Sequence, residues 1–518
     1  MKNNGQQRLK AHYQSLRNCS CTELWEVEIP KFESATERDR LDQVSVIRAA
    51  GVVFSESGTP EQKENARKWL RRLLADPEEK IRRYAMAALP KLGSGTSEEQ
   101  DLLELLKKAS SERETQALAK TLEKIGGEAT LNVHQTGTTP ALNSTVQKLH
   151  ANIARQQHSS HILFKAPVDI PGGVSVNLRC RSGLESILTA EVGEKLIPNT
   201  KFQVLRSIPK TLTLHSQQAF TLEELYAVRT FSTASFLLGT VQAQGNELPL
   251  DAFAQVIATP VTDAIFRTLT SGPIRYRIEF HFNGVSNHSY RTLADKVFRA
   301  APSLLNDPKE APWEISIHRI PRGYSIELSA RLRPDPRFAY RRGDVPAASH
   351  PPLSAALARL AGIKSNEIVW DPFCGSGLEL IERGLLGGVD HLIGTDLSNR
   401  AIETTRDNIS AAFPAGISST LVCCDFREYR NIKALQNVSL IISNPPLGKR
   451  VPVKELDALV RDLFEAAATV LRPGGSLVFV NPLSIVPDDS RLKLITRKKV
   501  DLGCCHCWVE KHQKSGGK

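Results

Sequence analysis

Apolar residues recur at helical spacing through the first quarter of the chain. Ile81, Tyr84, Ala85, Ala88 and Leu89 fall on one helix face, as do Leu118, Leu122 and Ile125, so each segment predicts a helix burying one stripe. Four capping signatures supply the starts: Thr59-Pro-Glu-Gln62, Asp76-Pro-Glu-Glu79, Ser97-Glu-Glu-Gln100 and Ser111-Glu-Arg-Glu114. Each sets a side-chain oxygen three residues before a Glu or Gln. Alternate caps, Thr59 and Ser97, lie 38 residues apart, near the roughly 40-residue period of stacked helical hairpins of HEAT or armadillo type. Residues 36–128 are expected as an all-α, HEAT-like domain after a terminal segment, 1–35. A compact bundle fits the same pattern, and either suits docking of a partner better than catalysis.

The period then changes. Residues 129–162, rich in Gly, Thr, Asn and Pro between Thr130 and Leu142, carry no hydrophobic period and read as a linker. From 163 to 345 short β-rich runs, such as Val174-Ser-Val-Asn-Leu178 and Ile315-Ser-Ile-His318, mix with helical stripes such as Leu184, Ile187, Leu188 and Val192. That mixture predicts an α+β region, a ferredoxin-like half followed by a second small module. From 346 to 518 apolar runs ending at Trp370, Gly394, Cys423, Ser443 and Val480 alternate with helical stretches, the pattern of a doubly wound, mostly parallel α/β sheet.

Composition narrows the class. At 41% hydrophobic and 24% charged residues the chain is of globular rather than fibrous or disordered type, and its net charge of +11 favours a polyanionic partner, nucleic acid first. No apolar run is long enough to span a bilayer. The nine cysteines, two pairs of them adjacent, lack the spacing of a secreted disulfide framework, so a cytoplasmic protein with no membrane partner is expected. Lys2, Arg8, Lys10 and Arg17 read as a frayed basic terminus.

The chemistry concentrates at strand ends. Asp371-Pro-Phe-Cys-Gly-Ser-Gly377 sits in the first βα turn, where Gly375 and Gly377 let backbone approach a ligand and the next helix offers free N–H groups to a carboxylate. The loop suits the amino-acid moiety of S-adenosyl-L-methionine, with Phe373 and Ser376 part of the cradle; taken alone it also fits a dinucleotide or a plain turn. Asp396, 25 residues after Asp371, ends the second strand where ribose hydroxyls would lie. Asp425 ends the third, within reach of an adenine amino group, and Phe426 is placed to cover the ring. At the end of the fourth strand stands Asn444-Pro-Pro-Leu447. Its prolines remove donors, so the Asn444 amide oxygen and the Pro445 carbonyl can hold an exocyclic amine with its lone pair aimed at a methyl group.

The first loop and Asn444-Pro-Pro446 together resemble the THUMP-associated class I methyltransferases, which include guanine-N2 methyltransferases acting on transfer and ribosomal RNA. The resemblance extends to Tyr340-Arg-Arg-Gly-Asp-Val-Pro346, Pro351-Pro-Leu353 and Arg181-Ser-Gly-Leu-Glu185; it covers roughly residues 163 to 505 and leaves the helical quarter outside. It implies a Rossmann-like methyltransferase domain over 346–518 and a THUMP RNA-binding region over 163–345. It further implies that Asp371, Gly375, Gly377, Asp396 and Asp425 bind S-adenosyl-L-methionine, and that Asn444 and Pro445, with Pro446 and Leu447 beside them, hold the target amine. Leu447 departs from the family, where many members carry Phe or Tyr to stack on the extruded base, a contact worth about 1–3 kcal/mol.

An RNA surface is expected where Arg275, Arg277, Arg291, Arg319, Arg322 and Arg337 recur among Tyr276, Tyr290, Tyr324 and Tyr340, with Arg341, Arg342, Lys449 and Arg450 nearer the catalytic turn. No metal is expected. Cys504-Cys-His-Cys507 reads as a strand, along which neighbouring side chains point to opposite faces, and Cys374 as a packing residue. The expected function is methylation of guanine N2 in tRNA or rRNA, with the helical domain free to dock a protein partner. Adenine-N6 methylation of RNA or DNA, and a non-catalytic RNA-binding scaffold, stand as alternatives.

Overall fold

A computed structural model describes residues 12–93, 96–109, 111–127, 129–130, 159–199, 201–243, 247–346, 348–446, 456–483, 489–503 and 505–516. The chain divides into two compact units, Met1–Ser159 and Ser160–Lys518. Leu447, Lys449, Arg450, Cys504 and nearly all of the expected linker lie outside the described residues.

The first unit is helical. After short turns of helix between Cys21 and Asp42 come α1 (Ser45–Ser57), α2 (Pro60–Arg72), α3 (Glu79–Ala88), α4 (Thr96–Lys108) and α5 (Glu112–Ile125). Thr59 forms the full capping box with Gln62, and Ser111 accepts from the Glu114 amide. The other two signatures are displaced. Asp76 accepts from the Glu78 amide at 3.0 Å but α3 starts only at Glu79, and Ser97 falls one residue inside α4. Helix α3 packs between α1 and α5, with α2 and α4 against them. The crossing of α1 and α3 is close because Gly51 faces Ala88, where an added Cβ would stand 2.8 Å from the alanine methyl. The boundary expected at residue 35 has no counterpart in the packing, since Leu24, Ile29 and Phe32 share one core with Ile47, Phe54, Trp69 and Ile81.

The second unit holds two large sheets. The central one contains β1 (Val174–Arg179), β2 (Gln203–Ile208), β3 (Thr211–Ser216), β4 (Thr233–Gln242), β5 (Arg275–Phe280), β6 (Leu305–Asn306), β7 (Trp313–Ile320) and β8 (Gly323–Ala330). Their order is β2-β3-β1-β4-β8-β7-β5-β6. Instead of two separate small modules, the region is one continuous mixed sheet, joined where β4 pairs with both β1 and β8. Strand β8 shows why it forms: Tyr324, Ile326 and Leu328 point into the core, while Ser325, Glu327 and Ser329 line the polar face. On that face the enclosed Glu327 accepts from Arg179, Asn177 (2.9 Å), Ser235 (2.6 Å) and Ser325 (2.9 Å). Helices α6 (Glu185–Lys195), α7 (Leu250–Ile257), α8 (Pro260–Leu269) and α9 (Asn287–Ala300) supply apolar residues to the core.

The catalytic half begins with α10 (Pro351–Ala361). It alternates β9 (Glu367–Asp371), α11 (Leu378–Leu385), β10 (Val389–Asp396), α12 (Asn399–Ala412), β11 (Ser419–Cys423), β12 (Val438–Ser443), α13 (Leu456–Val470) and β13 (Leu471–Asn481), and closes with β14 (Leu492–Asp501) and β15 (His506–Lys514). The order is β11-β10-β9-β12-β13-β15-β14, parallel except for β15, which runs antiparallel to both neighbours. Both faces are covered. Val369, Leu392, Leu440 and Val478 meet α10, α11 and α12, while Trp370, Ile393, Ile441 and Leu477 meet α13. Strand order reverses between β9 and β12, so a crevice forms at their carboxyl ends.

The two halves of this unit are clasped by buried bonds. Arg229 donates to both oxygens of the enclosed Glu382 at 2.8 and 2.7 Å, Tyr340 donates its hydroxyl to the same carboxylate at 2.5 Å, and Arg229 also reaches the Arg337 carbonyl at 2.6 Å. Burial and the Glu382 carboxylate push the Tyr340 phenol up. Gly183 rests so close to β14 that an added Cβ would stand 1.9 Å from the Lys499 carbonyl.

Candidate active site at the carboxyl ends of the parallel strands

The chain leaves β9 at Asp371 and turns into α11 through two glycines of positive φ, Gly375 at +53° and Gly377 at +81°. The two glycines do different work. A Cβ on Gly377 would stand 2.8 Å from Thr405 Cγ2, so that position serves packing against α12; one on Gly375 would meet nothing nearer than Val345 Cγ2 at 3.7 Å. The Gly375 side is thus open to a ligand. Helix α11 has no side-chain cap, which leaves its first N–H groups available to an anion.

Helix α12 fixes the loop from behind. Thr405 donates to the Gly375 carbonyl at 2.9 Å; Asn408 donates to the carbonyls of Ser376 (2.9 Å) and Gly343 (3.1 Å) and accepts from the Arg342 and Gly343 amides. One asparagine therefore joins the loop to the connector at 340–346. The Gly375 amide donates to Asp396 Oδ2 at 3.0 Å, and Asp396 Oδ1 accepts from the Ser398 amide.

Asp371 is corrected. Expected as a cofactor contact, it is fully enclosed, with Oδ1 accepting from the Phe373 amide at 3.0 Å and from Ser443 Oγ at 2.5 Å. It braces the ends of β9 and β12 from beneath. Burial and the nearby Glu379 carboxylate push its carboxyl well above the usual range. Ser376 is likewise enclosed. Cys374, buried against Thr405, has its thiol pushed up by desolvation, the state of a packing residue rather than of a nucleophile.

One strand over, Asn444 follows Ser443. Its Nδ2 donates to Ser349 Oγ at 2.8 Å, while Oδ1, enclosed by protein, has no partner among the described residues. Ser349 also bonds Glu379, a fully buried acid on α11 that accepts from Ser354 Oγ at 3.0 Å and whose carboxyl is pushed up by burial. This relay sets which way the Asn444 amide faces. Pro445, buried beside it, offers a carbonyl and no donor.

Phe373 and Phe426 meet with ring centroids 4.7 Å apart, making an apolar wall beyond the loop. Asp425 caps the turn that begins at Phe426, accepting from the Arg427 amide at 2.9 Å and pairing with the Arg427 guanidinium at 3.1 Å. One of its oxygens is thus engaged by Arg427, where the expectation set both toward adenine.

The expected RNA contacts divide. Arg319 and Arg322 are exposed at the β7–β8 turn, and Arg342 is exposed on the connector, where Arg341 pairs with Asp344. Arg275 is enclosed, because β6 pairs alongside Arg275 and Tyr276 and closes that end of β5. Arg277 is half-buried and pairs with Glu279 and with Glu314 at 3.4 Å. Arg337 is structural: it donates to the Phe231 carbonyl at 2.8 Å and lies 3.8 Å over the Phe231 ring. Tyr276, Tyr324 and Tyr340 point inward, so none of them is placed to stack on a base.

Sequence reasoning missed Ser349, Glu379, Thr405, Asn408 and Ser443. No helix among the described residues is long and apolar enough to cross a membrane.

The strand order, the open glycine loop and the crevice beside Asn444 define an α/β methyltransferase domain. Residues 339–504 match the RMKL-like methyltransferase domain family. The tRNA (guanine(10)-N2)-dimethyltransferase of Methanothermobacter thermautotrophicus is 30% identical over 139 residues, 26% of this chain and 39% of that protein. The human U6 snRNA (guanine-N(2))-methyltransferase THUMPD2 is 29% identical over 128 residues, 25% of this chain and 24% of that one. The chain thus spans about two fifths of the length of the archaeal relative. TrmN from Thermus thermophilus shares the fold, with a TM-score of 0.52 at 21% identity over 66% of this chain and 99% of that one.

Proposed function

We propose that this chain is an RNA methyltransferase that moves a methyl group from S-adenosyl-L-methionine to an exocyclic amine, guanine N2 of tRNA or rRNA. The observation that carries the reading is the enclosed Asn444 oxygen, held without a partner among the described residues beside an open glycine loop. The names of the two relatives agree with it, both being guanine-N2 methyltransferases of RNA.

The residues fit the cofactor. The free side of Gly375 and the uncapped start of α11 suit the methionine carboxylate, Asp396 keeps lone pairs for ribose hydroxyls, and Phe373 with Phe426 offers a wall for adenine. The cofactor supplies an electrophilic methyl on a sulfonium. All else falls to the chain. Asn444 Oδ1 and the Pro445 carbonyl accept the two N–H groups of the amine and turn its lone pair toward the methyl carbon. As that nitrogen gains the methyl and becomes positive, the same two oxygens stabilise the charge until a proton leaves to water.

We read the central sheet as the ferredoxin-like and THUMP region, with Arg319, Arg322 and Arg342 available to phosphates, the first unit as HEAT-like, and the protein as cytoplasmic. Nucleoside mass spectrometry of RNA from cells lacking the protein tests the reaction. Loss of N2-methylguanosine from one RNA supports it; unchanged N2-methylguanosine in every RNA overturns it, and loss of N6-methyladenosine instead moves the target to adenine.

A further inference from the structure

The helical unit holds a cleft of about 310 Å³ between α1, α3 and α5. Arg48, Arg83 and Lys91 stand around it, Tyr84 forms one wall, and alanines such as Ala88 and Ala117 make the floor; no carboxylate lines it. The cations are poorly compensated. Arg48 stacks 4.2 Å over the Tyr13 ring, and neither it nor Lys91 makes an ion pair among the described residues. Arg83 pairs only with Glu79, one turn back on its own helix, at 2.9 Å. Lys91 is pushed below its ordinary range by burial and by repulsion from Arg48, Lys124 and Arg17; Glu56, which draws it back, is already held by both hydrogen bonds of Arg17. A solvated helix face alternates its charges, whereas here several cations converge on a concave place with no resident anion.

We infer that this cleft is a second RNA contact, in which Arg48, Arg83 and Lys91 hold a backbone phosphate against Tyr84. Guanidinium groups grip phosphate oxygens in pairs and lysine adds a point charge. A protein partner fits less well, because a protein interface needs large apolar anchors at its centre and this floor is alanine. Nucleic-acid interfaces are cationic and polar, as this one is. The inference rests on the RNA substrate proposed above.

The test is fluorescence anisotropy of the full chain with an unmodified tRNA transcript between 50 and 200 mM KCl, comparing wild type with Arg48→Glu/Lys91→Glu and with Lys91→Ala. The double variant is expected to bind at least tenfold more weakly at 50 mM. Its plot of log K against log salt should be shallower by about one to two, since each lost phosphate contact removes about 0.7 to 0.9 from the slope. Lys91→Ala, which keeps Arg48, should lie between. Wild-type affinity and slope in both variants would overturn the inference while leaving the RNA substrate standing. A wild-type chain that binds no transcript overturns both. Binding of a poly-glutamate peptide that is lost in the double variant, with tRNA affinity unchanged, would give the cleft to a protein and overturn the RNA assignment.

Discussion

Asn444 and Ser349, 95 residues apart in the chain, are joined by a hydrogen bond of 2.8 Å that leaves the amide oxygen of Asn444 as the acceptor facing the crevice. Ser349→Ala frees the amide to rotate. The expected result is a kcat about tenfold lower with cofactor affinity unchanged, and recovery in Ser349→Thr. Asn444→Ala removes the acceptor itself and should cost about 10²–10³ in kcat, the range for losing one polar group aimed at developing charge. Single-turnover methylation beside calorimetric cofactor titration reads both.

The two loop glycines should separate stability from binding. Gly375→Ala has room for its methyl and pays only the left-handed backbone penalty, about 1–2 kcal/mol, yet that methyl projects into the open side of the loop. Its melt should stay within a few degrees of wild type while cofactor affinity falls at least tenfold. Gly377→Ala adds a clash with Thr405 and should lower the melt further, by roughly another 1–3 kcal/mol.

How much of this site the sequence revealed follows from the range of each interaction. The strand ends at Asp371, Asp396 and Ser443 were legible because apolar runs and turn residues are local signals, and the structure ends β9, β10 and β12 at those residues. Thr405, Ser349 and Ser443 act across 30, 95 and 72 residues, and nothing near them marks what they will meet. The tyrosines failed differently. A strand pattern tells which residues share a face but not which face turns inward; Tyr276 and Tyr324 share theirs with the isoleucines of the core. Asp76 opened a helix two residues late because its carboxylate took the Glu78 amide.

Glu382 tests the clasp between the sheets. Glu382→Ala strands the partly buried Arg229 guanidinium and the Tyr340 hydroxyl, and breaking such a pair from one side costs about 3–5 kcal/mol. Denaturant melts followed by tryptophan fluorescence should shift accordingly. Lys210→Ala, which removes only the exposed pair with Asp501, should leave the curve where it was.

His318 makes the central sheet sensitive to acid. Its imidazole stacks on His281 at 4.3 Å beside Arg179 and Glu327, and burial first, then Arg179, lowers its pKa from 6.5 to about 4. The unfolded chain takes up this proton near pH 6.5 and the folded chain only near pH 4, so stability is full above that window and is lost as pH falls through it. The melting temperature should decline from pH 6.5 to 4.5, and His318→Gln should show a shallower decline.

The buried clasp of Arg229, Glu382 and Tyr340, with Gly183 pressed on β14, bears on reach as well as stability. Because these contacts leave no slack between the central sheet and the crevice at Asn444, a strand gripped at Arg319 and Arg322 is presented to the crevice at a set span. The catalytic half then works as the end mark of a ruler, and the nucleotide to be modified is chosen by its distance from the grip as much as by its own shape.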